Sequence, residues 1–195
     1  MLRLFLLLSG AFVLGASSFL PLPASADGPA ETFVSREGRF AAAFPAEPVH
    51  ESSGRDTWAG RMEEGSYDLA GEGLRLRVEF HDVPRMASAV LPPALILDLA
   101  KEGVLSDMAA DGARIERVSL RGHPGLALRY APGERPQSTE EARLFLVGSR
   151  LYVAFARADE PGDREQVAAR FLASFDAWEP REAVAAAAGS PSGGM

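Results

Sequence analysis

The sequence predicts an α+β fold, with a central antiparallel sheet of about six strands and helices packed on it. First, short runs of alternating apolar and polar residues are joined in pairs by glycine-containing turns, which is typical of β-hairpins. Second, two longer segments repeat apolar residues at helical spacing. Third, the chain is 47% hydrophobic and 24% charged, a composition typical of a globular protein with a packed core.

The first 26 residues have the features of a cleavable signal peptide. Arg3 precedes an apolar run from residue 4 to residue 20, Pro21 and Pro23 follow it, and small residues Ala24 and Ala26 stand at the −3 and −1 positions. Cleavage after Ala26 predicts a periplasmic or secreted protein, with no stable membrane insertion afterwards. The alternative is an uncleaved membrane anchor, because the apolar run approaches spanning length.

The remaining chain predicts one domain at 27–178, followed by a disordered tail at 179–195 that is dominated by Ala, Gly, Ser and Pro. At the start of the domain, two strand-forming runs, 32–35 and 39–44, flank a short turn and predict a hairpin. The segment 48–60 has weak periodicity and is interpreted as a loop or an irregular strand.

Strict alternation marks the next predicted hairpin. A strand at 61–70 turns at Gly71-Glu72-Gly73 into a second strand at 74–81. Its apolar side chains share one face, and its polar ones share the other, which is therefore predicted to face solvent. The apolar set is Leu74, Leu76, Val78 and Phe80, and the polar set is Arg75, Arg77, Glu79 and His81.

A helix is predicted from Pro92-Pro93 to about residue 109, with Asp111-Gly112 ending it. Its inward stripe is predicted to be Leu95, Leu99, Leu105 and Met108. Two strands, 115–120 and 126–130, follow, and the glycines and proline between residues 122 and 125 predict the turn that joins them.

The strongest hairpin signal lies at 143–147 and 151–155, around Gly148-Ser149. Glycine in the first position of a two-residue connection favours a type II′ turn. Both strands are apolar at nearly every position, which predicts cover on both faces and a central place in the sheet. The last element is a helix with Asp163 as N-cap and with Val167, Phe171 and Phe175 facing inward.

Several of these stretches, taken in order, carry a family resemblance. They are Glu37-Gly38-Arg39-Phe40 with Phe44-Pro45, Gly122-His123-Pro124-Gly125, the run from Phe145 to Tyr152, and the run from Arg170 to Phe175. Between Phe33 and Trp178 the chain resembles the small exported bacterial proteins of the PsbP-like superfamily, named for the photosystem II extrinsic subunit. The resemblance implies an α/β/α sandwich without conserved catalytic apparatus, in a family of binding and assembly accessories. The matching positions are structural, so no functional residue and no photosystem role is carried over.

Composition excludes several functions. Asp and Glu number 27 against 20 Lys and Arg, without a basic block, which argues against a nucleic-acid partner. The absence of cysteine removes thiolate chemistry and lipid attachment at cysteine. His50, His81 and His123 match no metal-ligand spacing, and the sequence contains no G-x-S-x-G elbow. We therefore expect no metal, no cofactor and no enzymatic activity.

Two candidate binding regions remain. Arg75, Arg77 and His81, joined by Arg129 or Arg143 on neighbouring strands, would form an anion-binding or partner-binding sheet face. The alternative is ordinary pairing with nearby acidic residues, namely Glu79, Glu116 or Glu141. A helix–sheet cleft that holds a lipid or other hydrophobic ligand is the second region, with close packing as its alternative. Its predicted lining is Leu95, Leu99, Phe145, Phe155, Phe171 and Phe175.

These observations favour an exported, non-catalytic envelope protein that serves as a binding or assembly accessory for a partner the sequence does not identify. The second hypothesis is a carrier of a hydrophobic small molecule or lipid. The third is a hydrolase without a recognisable motif, which would require a histidine within hydrogen-bond reach of both a serine and a carboxylate.

Overall fold

The computed structural model describes residues 32–57, 60–107, 112–130 and 138–180. The predicted signal peptide at 1–26 and the tail from residue 181 onward lie outside these residues. The strands are β1 (Thr32–Ser35), β2 (Phe40–Ala43), β3 (Val49–Thr57), β4 (Gly60–Gly71), β5 (Leu74–Asp82), β6 (Arg114–Leu120), β7 (His123–Tyr130), β8 (Thr139–Val147), β9 (Arg150–Ala158) and β10 (Asp176–Ala177). The helices are α1 (Arg85–Val90), α2 (Pro93–Asp107) and α3 (Asp163–Ser174).

Seven strands form one antiparallel sheet in the order β3-β4-β5-β9-β8-β7-β6, and three form a small sheet in the order β1-β2-β10. The predicted fold class is confirmed. Strand β9 occupies the middle of the large sheet, as its continuous apolar sequence predicted, because both of its faces are covered.

The large sheet has one strand more than the predicted six. The additional strand is β3, in the segment interpreted from sequence as a loop or an irregular strand. It pairs with β4 without interruption from Val49 opposite Asp68 to Thr57 opposite Gly60. The side chains from Val49 to Gly54 are all exposed, so an apolar alternation is absent even though the backbone pairing is complete. An edge strand needs only its backbone to be matched on one side, which is why periodicity failed to find it.

The large sheet separates two cores. On one face, α3 and the small sheet pack around large aromatic side chains that include Phe40, Phe80, Tyr152 and Phe171. On the other face, α2 packs on β7 and β8. The core on this face includes Val104, Leu128, Leu144 and Val153. The domain is therefore a three-layer sandwich with the sheet in the middle.

Helix α2 has the predicted position but a different buried face. Ile96, Leu97 and Val104 are buried, whereas Leu95 is 43% exposed; Leu99 and Leu105 are partly buried, and Met108 lies outside the described residues. The predicted stripe is therefore wrong at Leu95, whereas Leu105 packs against the core as predicted. Because the helix is apolar at almost every position in its first turns, periodicity does not fix its rotation, and contact with β7 and β8 does.

Of two predicted hairpin turns, the structure confirms one and contradicts the other. Ser149 keeps a negative φ after Gly148 at φ 61°, which confirms the type II′ turn. The other predicted turn, 122–125, is wrong. The strands join at Arg121 and Gly122, both with positive φ, and Gly125 lies within β7, where a Cβ atom would come 2.5 Å from the carbonyl oxygen of Leu144.

The predicted N-cap of the last helix also requires correction. The N-cap residue of α3 is Gly162, at φ 124°, and it makes no side-chain cap hydrogen bond. Asp163 is the first helical residue, and with Glu165 it places negative charge in the first turn, where the helix dipole favours it. Helix α1 was not predicted.

Candidate functional site

Ionic side chains gather on the part of the large sheet beside α2. Cross-strand partners share a face, and Arg77 on β5 is opposite Phe155 while Glu79 is opposite Val153. Val153 belongs to the core under α2, so the polar side of β5 faces the same way as α2. We call this surface the charged face. Its members are Glu64 and Asp68 on β4, Arg75, Arg77, Glu79 and His81 on β5, Glu140 on β8, and Arg157 on β9.

The centre of the charged face is a set of close arginine–carboxylate pairs. One guanidinium nitrogen of Arg75 lies 2.6 Å from Oδ2 of Asp68. Nε of Arg77 lies 2.7 Å from Oε1 of Glu79 and 3.6 Å from the same Asp68 oxygen. The side chains of Arg77 and Glu79 are only 14% and 7% exposed. Each arginine charge is therefore compensated within the sheet.

His81 lies between two carboxylates at one end of the charged face. Its Nδ1 is 3.8 Å from Oε2 of Glu64, and its Nε2 is 3.7 Å from Oε2 of Glu79. The hydroxyl of Ser53 donates a hydrogen bond of 2.8 Å to the other oxygen of Glu64. The carboxylate thus lies between serine and imidazole, whereas a hydrolytic triad needs the imidazole between the other two groups.

The other end of the charged face is built by β8 and β9. Arg157, opposite Arg75 in the sheet, lies 3.4 Å from Glu140 and 2.7 Å from Asp159. The hydroxyl of Tyr130 donates to the remaining oxygen of Glu140. Burial, and then this hydrogen bond, raise the pKa of Tyr130, so the phenol stays protonated as a donor to the carboxylate.

The network leaves some hydrogen-bonding capacity unused. Among the described residues, Oδ1 of Asp68 and Nε of both Arg75 and Arg77 are buried and have no hydrogen-bond partner. The contact of Arg77 with Glu79 is an ion pair without hydrogen-bond geometry. Each unsatisfied buried polar group costs about 1–3 kcal/mol. The packing of the sheet therefore tolerates a polar cluster that it does not fully satisfy.

The structure places the predicted residues Arg75, Arg77 and His81 together on this face, but Arg129 and Arg143 point to the opposite side of the sheet. There, Nε of Arg129 and Nε of Arg143 lie 2.6 and 2.8 Å from the two oxygens of Glu141. Leu128 and Leu144 face α2, so the next residue on each strand faces away. The prediction that Arg129 or Arg143 joins Arg75, Arg77 and His81 is therefore wrong.

Sequence reasoning missed Glu64, Asp68, Glu140 and Arg157 as members of the charged face. Asp68 belongs to β4, opposite Arg77. Arg157 continues the alternation of β9, two positions after Phe155. The alternation of β9 indicates which of its residues share a side. It assigns that side to the charged face only when the pairing of β9 with β5 is known.

The predicted hydrophobic cleft is not formed by its six side chains, which belong to different layers. Phe145 and Phe175 stack with ring centroids 5.8 Å apart, and Phe171 meets Phe44 edge-on at 4.9 Å. Phe155 packs on the opposite face of the sheet, and Leu95 is exposed. This prediction is wrong because its residues lie on both faces of the sheet, so they cannot line one cleft.

The histidines lie apart. The ring of His50 stacks on Tyr67, with centroids 4.1 Å apart, while His81 belongs to the charged face and His123 begins β7. Within the ranges that the structure describes, no three potential ligand side chains are grouped as a metal site would require. No helix in the same ranges combines the length and apolar character needed to span a membrane.

No protein-family model matches the chain, and no curated protein matches it. Among solved structures, the chain is similar to the solution structure of cyanobacterial PsbP (CyanoP) from Synechocystis sp. PCC 6803. The two share 14% sequence identity with a TM-score of 0.45, over 80% of this chain and 98% of that one.

Proposed function

We propose that this protein is an exported, non-catalytic binding or assembly accessory that contacts a protein partner in the cell envelope through the charged face. The observation that carries the proposal is the cluster of ion pairs around Asp68, Arg75 and Arg77, with its buried, unused hydrogen-bonding atoms. Unpaired buried polar groups are rare in native proteins and each one calls for an explanation. A polar partner, by repositioning these side chains, would satisfy them.

The scaffold suits recognition of a macromolecule. The charged face is carried by β4, β5, β8 and β9, which are paired without interruption with their neighbours in the sheet. The ladder fixes the backbone beneath these side chains, so binding needs only side-chain adjustments and the cost of ordering the face is correspondingly small. A protein partner also gives the area that a specific contact on a sheet surface needs.

The exposed charge of this face favours a basic partner. The side chains of the arginines are 14–30% exposed, and those of the other carboxylates are 7–15% exposed. The side chain of Glu64 is 47% exposed, so the most exposed charge of this face is negative. Each arginine already lies against a carboxylate, so an approaching anion meets negative charge first. A basic side chain would find the exposed carboxylate of Glu64, and the formal charge of −7 adds a long-range attraction.

Capture from the envelope of the producing cell tests the proposal. The tagged full-length protein is compared with Glu64→Lys on the charged face and with Glu102→Lys on α2, an equal charge change at a side chain that is 71% exposed. We expect the wild type and Glu102→Lys to capture the same protein, and Glu64→Lys to bind it about tenfold more weakly. Circular dichroism establishes that both variants are folded. Equal capture by all three would overturn the proposal.

A further inference from the structure

Strand β3 forms one edge of the large sheet. It pairs with β4 on one side, and no other described strand pairs with it. Nine residues continue in regular register without a bulge, and the strand contains neither proline nor lysine. Natural proteins usually protect an edge strand with such devices or with charged side chains. The charged residues of β3, namely Glu51, Arg55 and Asp56, carry both signs, so a second copy of the strand can match them. This edge is therefore open to pairing with another strand.

The hairpins determine which backbone groups of β3 point outward. The β4–β5 hairpin closes at Gly71 opposite Leu74, and a two-residue connection ends in a hydrogen-bonded pair. Alternation from that pair directs the backbone groups of Gly60 toward β3, opposite Thr57. The same alternation along β3 leaves outward N–H and C=O groups at His50, Ser52, Gly54 and Asp56.

We propose that two copies of this chain pair through β3, antiparallel, about a twofold axis at Ser53. In this register Val49 lies opposite Thr57 of the second copy, so all nine residues of the strand are paired. Glu51 lies opposite Arg55 of the second copy, and His50 lies opposite Asp56 of the second copy. Both acidic positions of the strand are then paired with basic positions, and each pair occurs twice.

Other registers lack this complementarity. A twofold pairing must match outward-pointing residues with one another, so the axis passes through a single residue. With the axis at Ser52, Glu51 faces Ser53 and Val49 faces Arg55. With the axis at Gly54, Glu51 faces Thr57 and Asp56 faces Ser52. Axes at Glu51 or Arg55 place like charges opposite each other. Charge thus selects the register that also gives the longest overlap.

Charge exchange tests the register. Glu51→Arg and Arg55→Glu each create two like-charge contacts in the homodimer, whereas an equal mixture of the two variants restores two opposite-charge contacts. In sedimentation velocity over a dilution series, we expect a reversible wild-type dimer, about tenfold weaker self-association of each variant, and wild-type affinity in the mixture. A wild-type monomer throughout the series, or a mixture no tighter than its components, would overturn the proposal.

A proline variant tests whether the β3 backbone makes the contact. Ser52→Pro removes an outward N–H and leaves the pairing with β4 intact, a position where an edge strand accepts proline. We expect this variant to lose dimerisation while keeping the wild-type thermal unfolding midpoint. The control Ser52→Ala retains the N–H and is expected to dimerise normally. Dimerisation of a folded Ser52→Pro variant at wild-type affinity contradicts pairing through β3; if the variant does not fold, the charge-exchange mixture decides.

Discussion

At the scale of single residues, Arg150 holds two layers together. Its side chain is 3% exposed, and its Nε lies 2.7 Å from Oδ1 of Asp82. A second guanidinium nitrogen donates to the carbonyl oxygen of Glu37 at 2.9 Å, and the guanidinium lies 4.4 Å from the ring centroid of Phe80. The turn between β1 and β2 is thereby attached to the end of the large sheet.

Replacing Arg150 with Met is expected to reduce the free energy of unfolding by about 3 kcal/mol, because Asp82 and the Glu37 carbonyl lose their buried partner. Urea denaturation measures the change. The control is Arg114→Met, whose side chain is 77% exposed beside Glu116, with an expected loss below about 1 kcal/mol. Similar losses in both variants would show that Arg150 does not have this role.

The Glu141 carboxylate gives a pH-dependent prediction. Burial alone would raise the pKa of Glu141, but hydrogen bonds from Arg129 and Arg143 lower it below the ordinary value of 4.5. A depressed folded-state pKa contributes stability that is present above 4.5 and is lost as the pH falls through the folded-state value.

We expect Glu141→Gln to lower the free energy of unfolding by about 1–2 kcal/mol at neutral pH, and by progressively less as the solution becomes acidic. Urea denaturation of both proteins across this pH range is the measurement. A penalty that stays constant in acid would indicate that the ionised carboxylate is not what stabilises this site.

At the scale of elements, a helix is easier to predict than its rotation. No local pattern distinguishes Ile96 from Leu95, yet these neighbours are 2% and 43% exposed. Burial depends on the side chains that β7 and β8 present to α2. For β3 the element itself was hard to predict, because its backbone pairing is complete but its side chains carry no apolar pattern.

Leu95 and Ile96 are adjacent on α2 and have side chains of equal size, so they make a matched test. Ile96→Ala is expected to cost about 3 kcal/mol, because it leaves a cavity in the core on β7 and β8. Leu95→Ala is expected to cost less than about 1 kcal/mol, because alanine is also the better helix former. Thermal or urea unfolding compares them, and an equal or reversed ranking would mean that α2 is rotated from the position described.

At the scale of the whole molecule, one sheet supports two different surfaces. The face under α3 and the small sheet is covered by a large apolar core, whereas the face under α2 is apolar over β7 and β8 and ionic over β4 and β5. This division gives the domain a stable interior and leaves a charged region beside it. The proposed partner contact and the proposed pairing edge both lie in the β3–β4–β5 half.

Export is a prediction about the whole chain. Processing after Ala26 places Asp27 at the mature N-terminus, because signal peptidase accepts small residues at the −3 and −1 positions. Intact mass and N-terminal sequencing of the protein from the periplasmic fraction measure this. Ala26→Leu is expected to slow processing. Recovery of the unprocessed chain from the cytoplasm would contradict export, and its recovery from the membrane would favour the anchor alternative.

The sequence by itself determined the fold class, the β5 alternation, the central hairpin around Gly148 and the approximate positions of two helices. These features are local, because alternation, helical spacing and turn geometry depend on residues close together in the chain. Only the tertiary structure decided the rotation of α2, the edge position of β3 and the membership of the charged face. Those depend on pairing between distant segments. The pairing of β5 with β9 places Arg75 opposite Arg157, and the pairing of β8 with β7 and β9 places Arg129 and Arg143 on the other side.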